Sequence, residues 1–462
     1  MRASSVNAIL LAAFFICSAV TLNAERKREG IEWIYTVCHN PGATNLPRVL
    51  LIGDSIANMC QEFVSEELSG TAYVSTYTTS KSITDRSYLK ELKLMLSEND
   101  YALIQFNNGL HCFGSDLKQW EQALAGVIKL MRAEGKGAKI IWASTTPTVS
   151  PDNTRLVKEF NAIAARVMKE NNIPVNDLFA LMDPLDRNQY WTDNCHHSPE
   201  GRKIAAKQVA AVIRENLGAK KISATVSNVP DSQARPAGSA GDKSAGKMDW
   251  TKVFWYDAEK SNLPRALIIG DSIYDDHQRD VNKALAGRAH LSTFSTSRSF
   301  ADPLYAKELK YILDEYRYGV ILFNNGLHCN KADPIWKTIL PDIPGWEAGL
   351  RGVIKLIRDE GKGAKIVWAG SVPWIGEDSP AEVRELKAAA DRLTKENNIP
   401  AGDPYPEMQN GPQYSEQLTA RIAATICGQL GVETPSGKST NAALKAAGSL
   451  LGPAGSIGDA GN

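Results

Sequence analysis

The chain has 462 residues in which 52 Lys and Arg are matched by 52 Asp and Glu. It therefore lacks the basic surplus that nucleic acid or an anionic membrane attracts, and no nucleic-acid partner is expected. Length allows two or three domains, seven cysteines are too sparse for a disulfide scaffold of this size, and no apolar run reaches the roughly 20 residues of an integral membrane span.

In chain order, Met1 to Asn7 carry one positive charge and precede the apolar run Ala8 to Val20, with small Ala24 at a cleavage position. This reads as a secretory signal peptide over residues 1–24 and places the mature chain outside the cell or in the periplasm. The next strong signal is Arg48-Val-Leu-Leu-Ile-Gly-Asp-Ser-Ile56, four apolar residues closed by Gly53-Asp54-Ser55. An amphipathic run follows, Ile56, Met59, Phe63, Val64 and Leu68, at helical spacing. Strand, tight turn and helix would put the Ser55 hydroxyl at the carboxyl edge of a parallel sheet, beside a helix N-terminus that favours negative charge. Gly-Asp-Ser is equally ordinary turn and cap chemistry.

What singles the phrase out is its return as Arg265-Ala-Leu-Ile-Ile-Gly-Asp-Ser-Ile273, 217 positions later. At the same offset Ser75 to Ser82 answers Ser292 to Ser299, and Phe106-Asn-Asn-Gly-Leu-His-Cys112 answers Phe323 to Cys329. Further on, Gly126 to Pro147 answers Gly352 to Pro373 at an offset of 226, so the second copy holds nine extra residues, around Trp336 to Trp346. A period this long is a domain duplication, since solenoid repeats run about 20–50 residues. The copies span 30–217 and 248–432. Between them, 218–247 is rich in Ala, Gly, Ser and Pro and reads as a flexible linker, and 433–462 is a similar low-complexity tail.

Within the first copy, strands are expected at 49–52, 72–75, 101–106, 139–143 and 173–175. Helices are expected at 56–68, 87–97, 117–133, 154–171 and 198–217. Such alternation gives an α/β fold, here two tandem doubly wound three-layer α/β/α domains with parallel sheets. Ligands of such sheets bind beyond the carboxyl ends of the strands. Three polar clusters fall there: Gly53-Asp54-Ser55, Asn107-Asn108-Gly109-Leu110-His111 and Asp193-Asn194-Cys195-His196. A carboxylate and an imidazole three residues apart can pair, leaving the second ring nitrogen to activate a serine across the sheet edge. His197 competes for that role, and spacing alone leaves both open. His196 and His197 with Cys195 lack the spaced ligand pairs of a zinc site, so no metal or other cofactor is expected. Cys112 and Cys195 flank the same site, so an exported chain has either a bridge between them or two separate thiols there.

These blocks resemble those of the SGNH hydrolases, the GDSL esterase/lipase superfamily, over nearly all of each copy. Gly53-Asp54-Ser55 is similar to the block that holds the nucleophile. Asp193-x-x-His196 with Gly201 is similar to the last block, which implies His196 as base and Asp193 as its orienter. The resemblance further implies oxyanion donors. His111 stands where the family has an asparagine, Asn107 opens the same loop, and Ser80 lies where a glycine N–H is usual. The implied function is an exported esterase acting through an acyl-enzyme on Ser55. Acetyl or short-chain esters, including carbohydrate-linked ones, suit export, neutral charge and the aromatic Tyr190 and Trp191 near the last block. Those two aromatics can equally be core. The alternative is a non-catalytic glycan-binding or cell-surface protein that keeps the fold. Aligning Glu416 with Glu200 puts Gln409 and Pro412 where Asp193 and His196 stand, so the second copy is expected to be non-catalytic despite Ser272 and His328. His277, five residues after Ser272, is expected to be structural, and contact between the copies is allowed for.

Overall fold

The computed structural model describes residues 28–218, 248–324, 343–370, 381–402 and 412–434. The expected signal segment, the expected linker from 219, His328, Trp336, Gln409 and the tail beyond 434 lie outside the described residues.

Eleven strands form one mixed sheet. They are β1 (Ile31–His39), β2 (Arg48–Gly53), β3 (Tyr73–Thr79), β4 (Leu103–Phe106), β5 (Lys139–Ala143), β6 (Val175–Asn176), β7 (Met248–Tyr256), β8 (Arg265–Gly270), β9 (His290–Thr296), β10 (Val320–Phe323) and β11 (Lys365–Trp368). Their order across the sheet is β11-β10-β8-β9-β7-β1-β3-β2-β4-β5-β6. The outer pairs are parallel, and β2, β4, β8 and β10 are buried along their whole length, as strands covered on both faces must be. The centre differs: β3 with β1, β1 with β7 and β7 with β9 are antiparallel. Where the sequence reading expects two sheets, the chain builds one.

Strand β1 is the element that the sequence reading passes over. Its burial alternates along Glu32, Ile34, Thr36 and Cys38 against Trp33, Tyr35, Val37 and His39, the period of two expected of a strand with one open face. It pairs with β7 from Ile31 opposite Tyr256 to His39 opposite Met248, with Tyr35 opposite Lys252 at the middle. Lys252 lies 217 positions after Tyr35, so the register is self-complementary, as at a two-fold dimer interface.

Helices cover both faces: α1 (Ser55–Glu67), α2 (Tyr88–Leu96), α3 (Leu117–Glu134), α4 (Pro151–Glu170), α5 (Leu178–Met182), α6 (Arg187–Tyr190), α7 (Pro199–Asn216), α8 (Ser272–Ala284), α9 (Pro303–Glu315), α10 (Ile343–Glu360), α11 (Ala381–Glu396) and α12 (Pro412–Leu430). On the face of α2 and α9 a single apolar core runs through both halves, from Trp142 and Phe160 through Ile34 and Trp255 to Phe323 and Trp368. On the opposite face the core is split. One part packs Val64 and Val209 over β2, and the other packs Val281 and Ile422 over β8.

The shared face also buries charge. Lys81, fully enclosed, donates to Ser87 Oγ at 2.9 Å, to Tyr311 Oη at 2.8 Å and to Glu91, and meets Glu315 at 3.3 Å across the halves. Its Nζ also sits 4.5 Å over the Trp255 ring. Burial disfavours the ammonium, yet Glu91 and Glu315 more than offset it and raise its pKa. At the matching place Arg298 meets Glu308 at 3.4 Å, Asp302 at 3.1 Å and, across the halves, Glu98 at 3.2 Å. Each half thus lends a glutamate to the other's buried cation.

Candidate active site

The site is built at the carboxyl end of β2. A Cβ on Gly53 would come within 2.6 Å of the Ala57 Cβ, so only glycine lets the strand turn this sharply into α1. Asp54 caps the helix, its carboxylate accepting from the Ile56 N–H at 2.9 Å. Ser55 is then the first residue of α1. Its backbone N–H precedes any intrahelical acceptor and points with the positive end of the helix.

Across the edge, residues 190–198 fold back as a small hairpin. Thr192 N–H donates to the His196 carbonyl at 2.8 Å, Ser198 N–H donates to the Tyr190 carbonyl at 2.8 Å, and Trp191 bridges His197. Ser198 caps α7, with Pro199 in its first turn. Gly201 is demanded by crowding, because a Cβ there would lie 2.7 Å from the Tyr190 carbonyl and 3.1 Å from the His197 Cβ. At the hairpin tip one oxygen of Asp193 accepts from the N–H groups of Cys195 and His196, both at 2.9 Å. The other lies 2.7 Å from His196 Nδ1.

His196 Nε2 then stands 2.8 Å from Ser55 Oγ. Asp193, His196 and Ser55 therefore form one hydrogen-bonded line. Desolvation works against the Asp193 charge, but the His196 and Cys195 amides and the imidazole overcome it and hold this carboxyl far below the usual carboxylate range. A carboxylate so held fixes the proton on Nδ1 and leaves Nε2 as the acceptor facing the hydroxyl.

The adjacent histidine has a different environment. His197 is buried against Trp191, ring centroids 4.9 Å apart, and burial, then the His196 charge, lower its pKa to about 4. Trp191 is itself core, packed with Cys60, Met182 and Ala205.

Three sequence expectations for the oxyanion hole change. The Ser80 N–H donates to the Trp33 carbonyl at 3.1 Å and its hydroxyl accepts from the Trp33 N–H at 2.9 Å, so β1 consumes both groups. The Asn107 amide gives its hydrogens to the Ala143 carbonyl at 2.8 Å and Thr145 Oγ1 at 3.0 Å, which makes it a tie between the ends of β4 and β5. His111 Nδ1 pairs with Glu29 at 2.7 Å. A carboxylate there requires Nδ1–H, so neutral His111 offers a lone pair at Nε2 and donates to an anion only as the imidazolium. The Ser55 N–H, at the head of α1 as the sequence places it, is a backbone donor on the same edge.

The hairpin also gathers ligand atoms that spacing did not suggest. Asp193, Cys195 and His196 each offer one within 4.8 Å of the others. Cys195 is a free thiol, so no bridge joins it to Cys112; burial, then Asp193, push its pKa up to about 12. Next to Ser55 in the chain, Asp54 and Ile56 help line an apolar cavity of about 60 Å³, together with Cys60, Asn107, Leu178 and Val209.

In the second half Gly270, Asp271 and Ser272 repeat the turn into α8. His277 faces Ser415 Oγ at 3.1 Å, and His290 lies between Asp257 and Asn262 at 3.2 and 3.1 Å. Among the described residues, then, neither histidine of this half pairs with Ser272.

No family model matches the chain, and no curated protein matches it. Solved structures similar to it include an acetyl xylan esterase, AlAXEase, at 16% identity over 36% of this chain and 99% of that one, with a TM-score of 0.32. A lipase/acylhydrolase from Enterococcus faecalis is 17% identical over 37% of this chain and 96% of that one, with a TM-score of 0.31. Axe2, an acetylxylan esterase from Geobacillus stearothermophilus, is 14% identical over 38% and 95%, with a TM-score of 0.30.

Proposed function

We propose that the protein is an exported serine esterase that hydrolyses acetyl or other short-chain carboxylic esters, carbohydrate-linked ones among them, through an acyl-enzyme on Ser55. The observation that carries the reading is the Ser55–His196–Asp193 line, at 2.8 and 2.7 Å. His196 Nε2 takes the hydroxyl proton as Ser55 Oγ attacks the ester carbon, and Asp193 stabilises the imidazolium that results. The oxyanion forms against the Ser55 N–H at the head of α1. His196 then protonates the departing alcohol, and water, activated by the same nitrogen, releases the acid and regenerates Ser55.

The small apolar cavity beside Asp54 and Ile56 supports a short acyl group. Export rests on the apolar leader over 1–24, and no helix among the described residues is long and apolar enough to cross a membrane. The two halves are read as a tandem duplication whose second copy has lost catalysis, a reading supported by the matching strand order and by Pro412, opposite His196, opening α12.

An ester panel from para-nitrophenyl acetate to longer acyl chains and acetylated glycans, with wild type beside Ser55→Ala, tests the proposal. Turnover should fall with acyl length and vanish in the variant, and a fluorophosphonate probe should label Ser55. Glycan binding without turnover or labelling would favour the non-catalytic alternative.

A further inference from the structure

We propose that the hairpin bearing Asp193, Cys195 and His196 is also an inhibitory site for a soft divalent cation, zinc or cadmium, which silences Ser55 when bound. The inference rests on the esterase reading for its consequence, though not for the binding itself.

The three donor atoms lie within 4.8 Å of one another. Cys195 Sγ stands 3.7 Å from His196 Nδ1. Tetrahedral zinc, with Zn–S near 2.3 Å and Zn–N near 2.0–2.1 Å, requires a sulfur-to-nitrogen edge of about 3.6 Å. That edge is therefore already at its coordinated length. The edge from Asp193 Oδ2 to Nδ1 is 2.7 Å and must open to about 3.3 Å. Asp193 is about half exposed, with a side-chain exposure of 54%, and has room to swing by that amount. Its other oxygen stays on the amides of Cys195 and His196, so the carboxylate is held as outer hydrogen bonds hold the ligands of metal sites. Thiolate, imidazole and carboxylate with one position left for water is a donor set that favours zinc or cadmium over the oxygen-seeking magnesium and calcium.

Coordination rearranges protons in a definite way. The Cys195 thiol releases its proton to solvent, and the metal takes the Nδ1 lone pair. The proton that Nδ1 carried moves to Nε2, so the neutral ring keeps one hydrogen. Thiolate and carboxylate together balance the two charges of the ion. With Nε2 now protonated, His196 cannot accept the Ser55 proton, and the attack step stops. Removing the metal reverses each step.

The test uses the full chain in two parallel measurements. Cobalt(II) is titrated while thiolate-to-metal charge-transfer absorption is followed, and ester turnover is measured across buffered zinc concentrations. Wild type should develop the charge-transfer band and lose at least about 90% of its turnover, with full recovery on chelation. Cys195→Ser should lack the band, and its half-inhibitory zinc concentration, referred to its own metal-free rate, should rise at least about tenfold. Cys195→Ala provides the same comparison should the serine variant fail to fold. Absence of the band in wild type, or equal zinc sensitivity in both cysteine variants and wild type, overturns the site. A band in a wild type that turns over no ester retains the metal site and overturns the esterase reading instead.

Discussion

At the end of β2 the chain runs Gly53-Asp54-Ser55 into α1, and at the end of β8 it runs Gly270-Asp271-Ser272 into α8. The glycines are needed for the same reason: a Cβ at Gly270 would come within 2.2 Å of the Tyr274 ring, as one at Gly53 would meet Ala57 at 2.6 Å. Packing of the side chain four residues on against the glycine preserves this turn whether or not anything reacts there. The two edges part company at the far side of the site. The first edge receives His196 from a hairpin that cradles Asp193, while in the second half His277 faces Ser415. On the proposed reading, the fold maintains the seat of a nucleophile and the base is the separable part.

The sharpest way to break this contrast is to treat the two serines alike. Ser55→Ala and His196→Ala should each lower kcat by about 10⁴-fold or more, and together by little more than either alone. Ser272→Ala should leave ester turnover unchanged. His197→Ala should alter thermal stability and leave the catalytic constants close to wild type, because its ring is packed on Trp191. Turnover lost in Ser272→Ala would abolish the distinction between the edges.

Next in size are the buried cations. Lys81→Met leaves Glu91 and Glu315 without their shared charge and should cost about 3–5 kcal/mol in denaturant unfolding. Arg298→Met should cost a similar amount, since Glu98 and Glu308 lose their cation in the same way. Because β1 still pairs with β7 and one core still runs through both halves, both variants should unfold in one transition. Two separate transitions would show that the halves fold independently.

The two charge clusters differ in their surplus of acid, and pH separates them. Arg298 faces Glu98, Glu308, Asp302 and Asp249. Burial lifts the glutamates, Arg298 counteracts only part of that, and the neighbouring acids add repulsion; Glu98 is pushed up to about 7 and Glu308 to about 8. Their unfolded values lie near 4.3, so between roughly pH 4.3 and 8 the native chain binds more protons than the unfolded one. Stability from these groups is full below that window and is lost as pH rises through it. The melting temperature should therefore fall from pH 5.5 to 8.5, and Glu308→Gln should flatten the slope. A slope unchanged by that substitution would remove the cluster as its source.

The smallest expected effect concerns His111. With Nδ1–H committed to Glu29, His111→Ala should lower kcat by less than about tenfold, whereas loss of a true oxyanion donor costs about 10²–10³-fold. A loss in the larger range would return His111 to the oxyanion hole as an imidazolium paired with Glu29.

What the sequence discloses here is what local chemistry dictates. The turn at Gly53 and the hairpin tip at Asp193 are built from residues within a few positions of one another, so their signatures survive in one dimension. Helices α1, α3 and α7 likewise fall close to where periodicity puts them. Strand β1 carries its own alternation, yet the unbroken apolar run that begins at Val49 draws attention away from it. What β1 does is illegible locally, because its partners lie at β3 and at β7. The same distance explains Ser80 and Asn107: their spare donors are claimed by Trp33, Ala143 and Thr145, residues at least 36 positions away. Short helices α5 and α6, caught between loops, give no period long enough to read.

Strand β1 also sets a schedule. It leaves the ribosome, or a translocation pore, long before β7, the strand it must lie against for its whole length. At about 5–20 residues per second, the interval is on the order of 10–40 s. Through that time the first half can close around Ser55 with β1 as an open edge, the kind of unpaired strand that invites another chain. A second nascent copy would present the same self-complementary edge, so expression of the first half alone should yield dimers joined β1 to β1. The second half acts, on this view, as a built-in chaperone for the first: it arrives late, seals the edge and stays.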